Sequence, residues 1–257
     1  MAKIISVHSF RGGTGKSNST ANIGSILASD GLRVGIVDTD IQSPGIHILF
    51  GISEDDMKYS LNDYLWGKCN IQQAAVDVTD NLNNDPENQV EVKGNVFLIP
   101  SSMRVGEIAR ILREGYDVGL LNDGYEQLVS ALNLDVLMID THPGLNEETL
   151  LSIAISDALA VIMRPDQQDY HGTSVTVEVA RKLDVPRMMI IVNKTPQTFD
   201  QEDVRKRVQE SYNCPVAAVI PHSDEMMILA SSGVFSLRYP DYQVAELYRN
   251  AADLLYK

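Results

Sequence analysis

Short apolar runs, each closed by a polar residue or a proline, recur along this chain at residues 4–7, 34–37, 96–100, 136–139, 158–163, 188–192 and 216–220. Runs that stay apolar without alternating suit strands buried on both faces, as in a parallel sheet. Between them lie stretches with apolar residues at helical spacing, among them 19–28, a turn or two near 106–112, and the C-terminal face Val244, Leu247, Tyr248, Ala251, Leu254 and Leu255. Strand and helix signals that alternate in this way predict an α/β fold: a doubly wound, mostly parallel sheet with helices on both faces. At 257 residues the chain suits one such domain over 1–257. Residues 77–89 are rich in Asn and Asp and carry Pro86, so an exposed, mobile loop is expected there.

Polar residues collect where the apolar runs end: Asp38 and Asp40 after the second, Asp140 after the fourth, Asn193-Lys194 and Pro221-His222 after the last two. Open parallel sheets bind ligands along that edge, where crossover loops meet helix N-termini. The first run leads into Phe10-Arg11-Gly12-Gly13-Thr14-Gly15-Lys16-Ser17 and then a helical pattern. Strand, glycine loop and helix form the context of a phosphate cradle. The glycines let several backbone N–H groups turn toward one anion, and the helix adds its own free amides and dipole. Gly12, Gly13, Thr14, Gly15, Lys16, Ser17 and Asn18 are therefore expected to hold a nucleotide. Lys16 would neutralise the outer phosphates, and the Ser17 hydroxyl would ligate Mg²⁺. An apolar strand ending in Asp140 is a further magnesium-holding signal. Asp38 and Asp40, two apart in an extended stretch, face one side and can address one cation or water. Asn193 is expected either to read a base edge with its carboxamide or to cap its strand.

The cradle departs from G-x-x-x-x-G-K-[ST], since Phe10 stands where the first glycine belongs. A basic residue, two glycines, one free position and Gly-Lys-Ser resemble the deviant phosphate loop of the MinD/ParA ATPases, with Arg11 at the place of their signature lysine. The paired aspartates, the Asp140 strand, the Asn193 strand and the Pro221 turn follow in that family's order. The resemblance implies an ATPase, slow without a partner, with ATP and Mg²⁺ as ligands. It implies that Arg11, Lys16 and Asp40 act in catalysis, Arg11 across a dimer interface and Asp40 on the attacking water. It also implies that Ser17, Asp38 and Asp140 serve the metal. Residues 42–51 would form a first switch, the Gly144 amide would approach the terminal phosphate, and the backbone after Pro221, at His222, would contact the base. The implied partners are a second copy of the chain in an ATP-dependent homodimer and an activating protein, with cargo, DNA or division machinery positioned as the outcome.

Composition narrows this picture. A net charge of −14 speaks against broad nucleic-acid affinity. Arg181, Lys182, Arg205, Lys206 and Arg207 remain as contributors to non-specific DNA binding. The terminal helix carries only Arg249 and Lys257 against Glu246 and Asp253, so membrane binding is less favoured than DNA. The chain enters its first strand without a charged and apolar leader, and no apolar run approaches the ~20 residues of a bilayer span, so a cytoplasmic setting is expected. Cys69 and Cys214 lack ligand spacing, which argues against a disulfide framework and against an iron–sulfur reductase of the same fold. Two alternatives stay open at this point: an ATP-dependent small-molecule synthetase, and a nucleotide-dependent scaffold that does not hydrolyse.

Overall fold

The computed structural model describes residues 2–257. Its strands are β1 (Lys3–His8), β2 (Arg33–Asp38), β3 (Val76–Asp77), β4 (Asn95–Ile99), β5 (Val136–Asp140), β6 (Ala158–Met163), β7 (Met188–Thr195) and β8 (Val216–Pro221). They form one sheet in the order β3-β4-β2-β5-β1-β6-β7-β8, and every pairing is parallel except that of β3 with β4. The chain builds outward from β1 to β2 and β4, returns to insert β5 between β2 and β1, then continues on the other side with β6, β7 and β8. That reversal opens a crevice at the carboxyl end of β1.

The continuous apolar runs are explained by the layers. Successive side chains of a strand point to opposite faces, and both faces are covered. On β2, Ile36 joins the core beneath the helices Lys16–Ser29 and Gln243–Tyr256, while Val37 faces the helix Gly119–Ala131. On β6, Ala160 belongs to the first of these cores, and Leu159 and Val161 to a third beneath the helices Gln167–Lys182 and Gln201–Tyr212. The fold is therefore the doubly wound α/β sheet that the periodicity predicts.

The terminal helix packs into this frame. Val244, Tyr248, Ala251 and Leu255 are buried, the Tyr248 hydroxyl lies 3.3 Å from Ser19 Oγ, and its last carbonyls accept from Lys3 Nζ at Tyr256 O (2.6 Å) and Arg187 at Leu254 O (2.9 Å). Leu254, placed on the apolar face by its spacing, is exposed instead. No helix among the described residues is long and apolar enough to cross a membrane.

Residues 77–89 differ from the loop expected of them. They hold the end of β3 and the helix Thr79–Asn84, with Val78 and Leu82 in the core. Several of their Asn and Asp side chains hydrogen-bond to backbone. Asp77 Oδ1 accepts from Thr79 N at 3.0 Å, Asn83 both donates to Val92 O (3.1 Å) and accepts from Val92 N (2.8 Å), and Asn88 donates to Leu82 O at 2.8 Å. Arg238 pairs with Asp85 at 2.8 Å. Short polar side chains serve turns and caps as readily as they serve open loops.

Candidate functional site

The site begins where β1 ends. The loop after it turns through Gly13 (φ +76°) and Gly15 (φ +95°), and Gly15 starts the helix Lys16–Ser29. A Cβ at Gly15 would lie 2.3 Å from Asn193 Nδ2, so a side chain there is excluded by contact as well as by conformation. Five of the loop's carbonyls are tied to protein donors. Ser9 O accepts from Gly144 N (3.2 Å), Arg11 O from Ser9 Oγ (2.8 Å), Gly13 O from Lys194 Nζ (2.8 Å) and Thr14 O from Asn193 Nδ2 (2.8 Å). Gly15 O takes Ser19 N at 2.9 Å. The N–H groups of residues 12–18, by contrast, find no acceptor among the described residues. A run of unpaired amides at a helix N-terminus is an anion site. It opens on a cavity of about 460 Å³ whose lining includes Gly13, Lys16, Ser17, Asp40 and His142.

Beneath the loop lies a buried charge cluster that the sheet assembles. In the β2–β5 pairing Asp38 stands directly opposite Asp140. Lys16 Nζ donates to Asp140 Oδ1 at 3.1 Å and lies 4.0 Å from Asp40 Oδ2, while Thr20 Oγ1 donates to the same Asp140 oxygen at 3.0 Å. Asp140 Oδ2 is buried with no hydrogen-bond partner among the described residues. Burial first, and the Asp140 carboxylate second, push the Asp38 carboxyl up to about 8. Asp38 accepts from Asp40 N at 3.0 Å, and Asp40 Oδ1 is 2.7 Å from His142 Nδ1 and accepts from Ser43 N at 3.2 Å. His8 is held down at about 3, chiefly by burial and then by Lys16 and His142, so its imidazole is neutral. Its Nδ1 is 2.8 Å from Thr141 Oγ1.

A divalent cation fits this donor set. Two buried acids in register share one lysine, and one carboxylate oxygen is unsatisfied, so added positive charge is favoured. No group of three or more His, Cys, Asp or Glu among the described residues forms a dedicated metal cage. That suits Mg²⁺, which keeps several waters and binds through few protein ligands. Ser17, Asp38 and Asp140 are the residues that would serve it.

A second cavity of about 390 Å³ adjoins the first, sharing Gly15, Asn18 and Lys194, and extends between Asn193, Pro221, His222 and the methionines Met226 and Met227. One polar cavity over free amides and one lined by proline and methionine together match the two ends of a nucleotide.

Comparison with known proteins agrees with that geometry. The family model ParA, described as NUBPL iron-transfer P-loop NTPase, matches residues 1–256. The chain belongs to the ParA family of P-loop NTPases. An uncharacterised ATP-binding protein of Methanocaldococcus jannaschii is 26% identical over 249 residues, covering 96% of this chain and 84% of its own. The septum site-determining protein MinD of Pyrococcus horikoshii, solved with Mg-ADP, superposes with a TM-score of 0.78 at 21% identity, over 98% of this chain and 95% of that one. Cobyrinic acid a,c-diamide synthase of Mycobacterium smegmatis, solved with ADP and magnesium, gives 0.74 at 21% identity, over 98% and 93%.

Within this ParA-family site, the fold brings most of the expected residues together. Gly12, Gly13, Thr14, Gly15, Lys16, Ser17, Asn18 and Asp40 line the first cavity, and Asn193, Pro221 and His222 line the second. Asp38 and Asp140 lie in register at the ends of β2 and β5. Two expectations change. The Gly144 amide does not face the cavity, because it donates to Ser9 O. The Asn193 carboxamide is engaged by the protein, donating to Thr14 O and accepting from Lys194 N at 2.8 Å, so it braces the loop rather than presenting its edge to a base. Arg11, expected to act across a dimer interface, lines neither cavity of its own chain and lies 3.2 Å from Asp169 Oδ1 and 3.7 Å from Asp166 Oδ1, acids that also hold Arg164. Thr20 and Ser43 were not singled out from sequence, and Lys194 was read only as the end of its strand. Only the packing of β7 and the β2 turn against the loop reveals them. The cysteines sit apart: Cys69 packs beside the core that holds Leu61, and Cys214 is buried with its thiol toward Met188 O.

Proposed function

We propose that the protein binds Mg-ATP and hydrolyses it, and that the ATP-loaded form is a homodimer acting as a switch that positions cargo, DNA or division machinery. The observation that carries the nucleotide reading is the row of unpaired N–H groups at 12–18 above Lys16, with five of the loop's carbonyls tied to protein donors. Those amides and Lys16 bind the phosphates. Asp40, oriented by His142 and by Ser43 N, holds the attacking water in line. Phosphoryl transfer to water needs positioning and charge neutralisation more than a strong base, so the Asp40–His142 pair serves as an orienting device. When bound, Mg²⁺ would neutralise developing charge on the phosphate oxygens.

The switch reading rests on Arg11 at the family's signature position. In the single chain its guanidinium is held by Asp169 and Asp166, and in the dimer it would exchange those acids for the partner's nucleotide. An activating partner protein is part of this reading. Non-specific DNA has weaker support, because Arg181 and Arg205 donate to the carbonyls of Tyr212 and Val216 and leave Lys182, Lys206 and Arg207 as the free members of the basic set.

Lys16→Ala should weaken Mg-ATP binding by about 100-fold or more, roughly 3 kcal/mol, and undiminished affinity in an equilibrium titration would refute the cradle. Asp40→Ala should keep ATP but stall turnover and so accumulate dimer. Light scattering with Mg-ATP reads that, and a monomer that still hydrolyses ATP contradicts the scheme. The fold shared with the cobyrinic acid a,c-diamide synthase favours a second reading, ATP-driven modification of a small molecule. ATP hydrolysis with no added substrate separates the two.

A further inference from the structure

Lys194 is the residue of the site with the least ordinary backbone. It sits in the left-handed region at φ +55°, although it is neither glycine nor asparagine and lies inside β7. Such a conformation is disfavoured for a non-glycine residue and persists where the surroundings demand it, often at functional sites. Its cause is visible in the sheet: the β7–β8 register shifts between Val192 and Thr195, and pairing resumes at Thr195 opposite Pro221. The bulge throws Lys194 off the strand and over the phosphate loop. Its N–H donates to the Asn193 side chain at 2.8 Å, and its Nζ donates to Gly13 O at 2.8 Å. The side chain lines both cavities, a property it shares with Gly15 and Asn18. Among the described residues it is the one cation that lines both the polar cavity and the methionine-lined one.

We infer that Lys194 is a second nucleotide-holding cation. Its methylene stem forms the wall where the base cavity meets the phosphate cavity. Its ammonium, anchored on Gly13 O, pins that carbonyl outward so that the neighbouring amides face in, and adds positive charge beside the phosphates. The ligand class is a nucleoside di- or triphosphate. This rests on the nucleotide reading proposed above.

The test compares the wild type with Lys194→Met, Lys194→Arg and Lys194→Gly by equilibrium titration of Mg-ADP, together with the Tm of each protein free of nucleotide. Lys194→Met keeps the stem and loses the charge, and should weaken Mg-ADP about tenfold or more. Lys194→Arg should restore affinity to within about threefold of wild type, because the cation returns. Lys194→Gly should weaken Mg-ADP at least as much as Lys194→Met, yet match or exceed the wild-type Tm, because glycine adopts positive φ freely. Weaker binding without lost stability is the signature of a ligand-holding residue. Wild-type affinity in the Met and Gly variants would overturn the assignment, as would a Lys194→Gly protein that loses Tm and affinity together, which marks a structural prop. If the wild type itself binds no Mg-ADP, the nucleotide reading fails; if only the variants behave as wild type, that reading stands and the role of Lys194 alone is lost.

Discussion

Asp38 and His8 end β2 and β1, on either side of β5, and burial shifts the two in opposite directions. Asp38 is an acid whose folded pKa, about 8, lies above its ordinary value of 3.8, so the folded state holds a proton that the unfolded chain has lost. Its effect is a loss of stability as pH rises from 3.8 through 8. His8 is a base depressed from 6.5 to about 3, so it costs stability as pH falls through that window. Between about pH 4 and 6.5 the two slopes oppose each other, and above 6.5 only Asp38 remains. The metal-free, nucleotide-free protein should therefore lose Tm as pH rises from 6.5 to 8, and Asp38→Asn should flatten that stretch. Thermal melts in chelator across this range check it, and an equal slope in the variant would refute the account. At this scale the glycine–lysine–serine spacing and the strand-ending acids were legible from sequence, because each is a local pattern with a local chemical meaning. The carbonyl partners of Lys194 and Asn193 were not, since both lie nearly 180 residues away in the chain.

Among elements, the strands that hold the site were the most readable. The residues of β6 coincide with the apolar run, and β1, β2, β4, β5 and β8 differ from theirs by a residue at one end or both. Burial on both faces leaves no polar face to confuse the pattern. β7 runs on to Thr195 past the apolar run, because a bulge accommodates its polar end. β3 was not visible: two residues carry no period. The helix Thr79–Asn84 was masked by its composition, since only Thr79 and Leu82 of its residues are buried. Leu82 gives that element a direct test. Leu82→Ala should cost about 2–4 kcal/mol in chemical denaturation, the usual range for a buried leucine. A change under about 0.5 kcal/mol would mean that the segment behaves as the solvated connector its sequence suggests.

For the whole molecule, the open question is what frees Arg11. Its ion pairs with Asp169 and Asp166 join the phosphate loop to the helix Gln167–Lys182 within one chain. The pair with Asp166 is half-exposed, and such contacts contribute little, typically under about 1 kcal/mol. Asp169 is buried, but it keeps Arg164 at 3.1 Å when Arg11 leaves, so a partner's nucleotide would displace both pairs without leaving that acid unpaired. Arg11→Ala should leave Mg-ATP affinity within about threefold of wild type while lowering turnover at least tenfold, the split expected of a group that acts only in the assembled state. Single-turnover hydrolysis measured beside nucleotide titration distinguishes this from a binding defect. Unchanged turnover would remove Arg11 from the chemistry.

Composition and short-range pattern suffice to announce a parallel α/β sheet, a phosphate loop and the acids around it, because hydrophobic period, glycine freedom and strand ends are properties of a few adjacent residues. Tertiary packing alone placed Asp38 across from Asp140, turned two of the loop's carbonyls onto Lys194 and Asn193, and set Val78 and Leu82 of the asparagine-rich segment into the core. Those outcomes depend on which strands become neighbours and in what register, and no local stretch of chain encodes that.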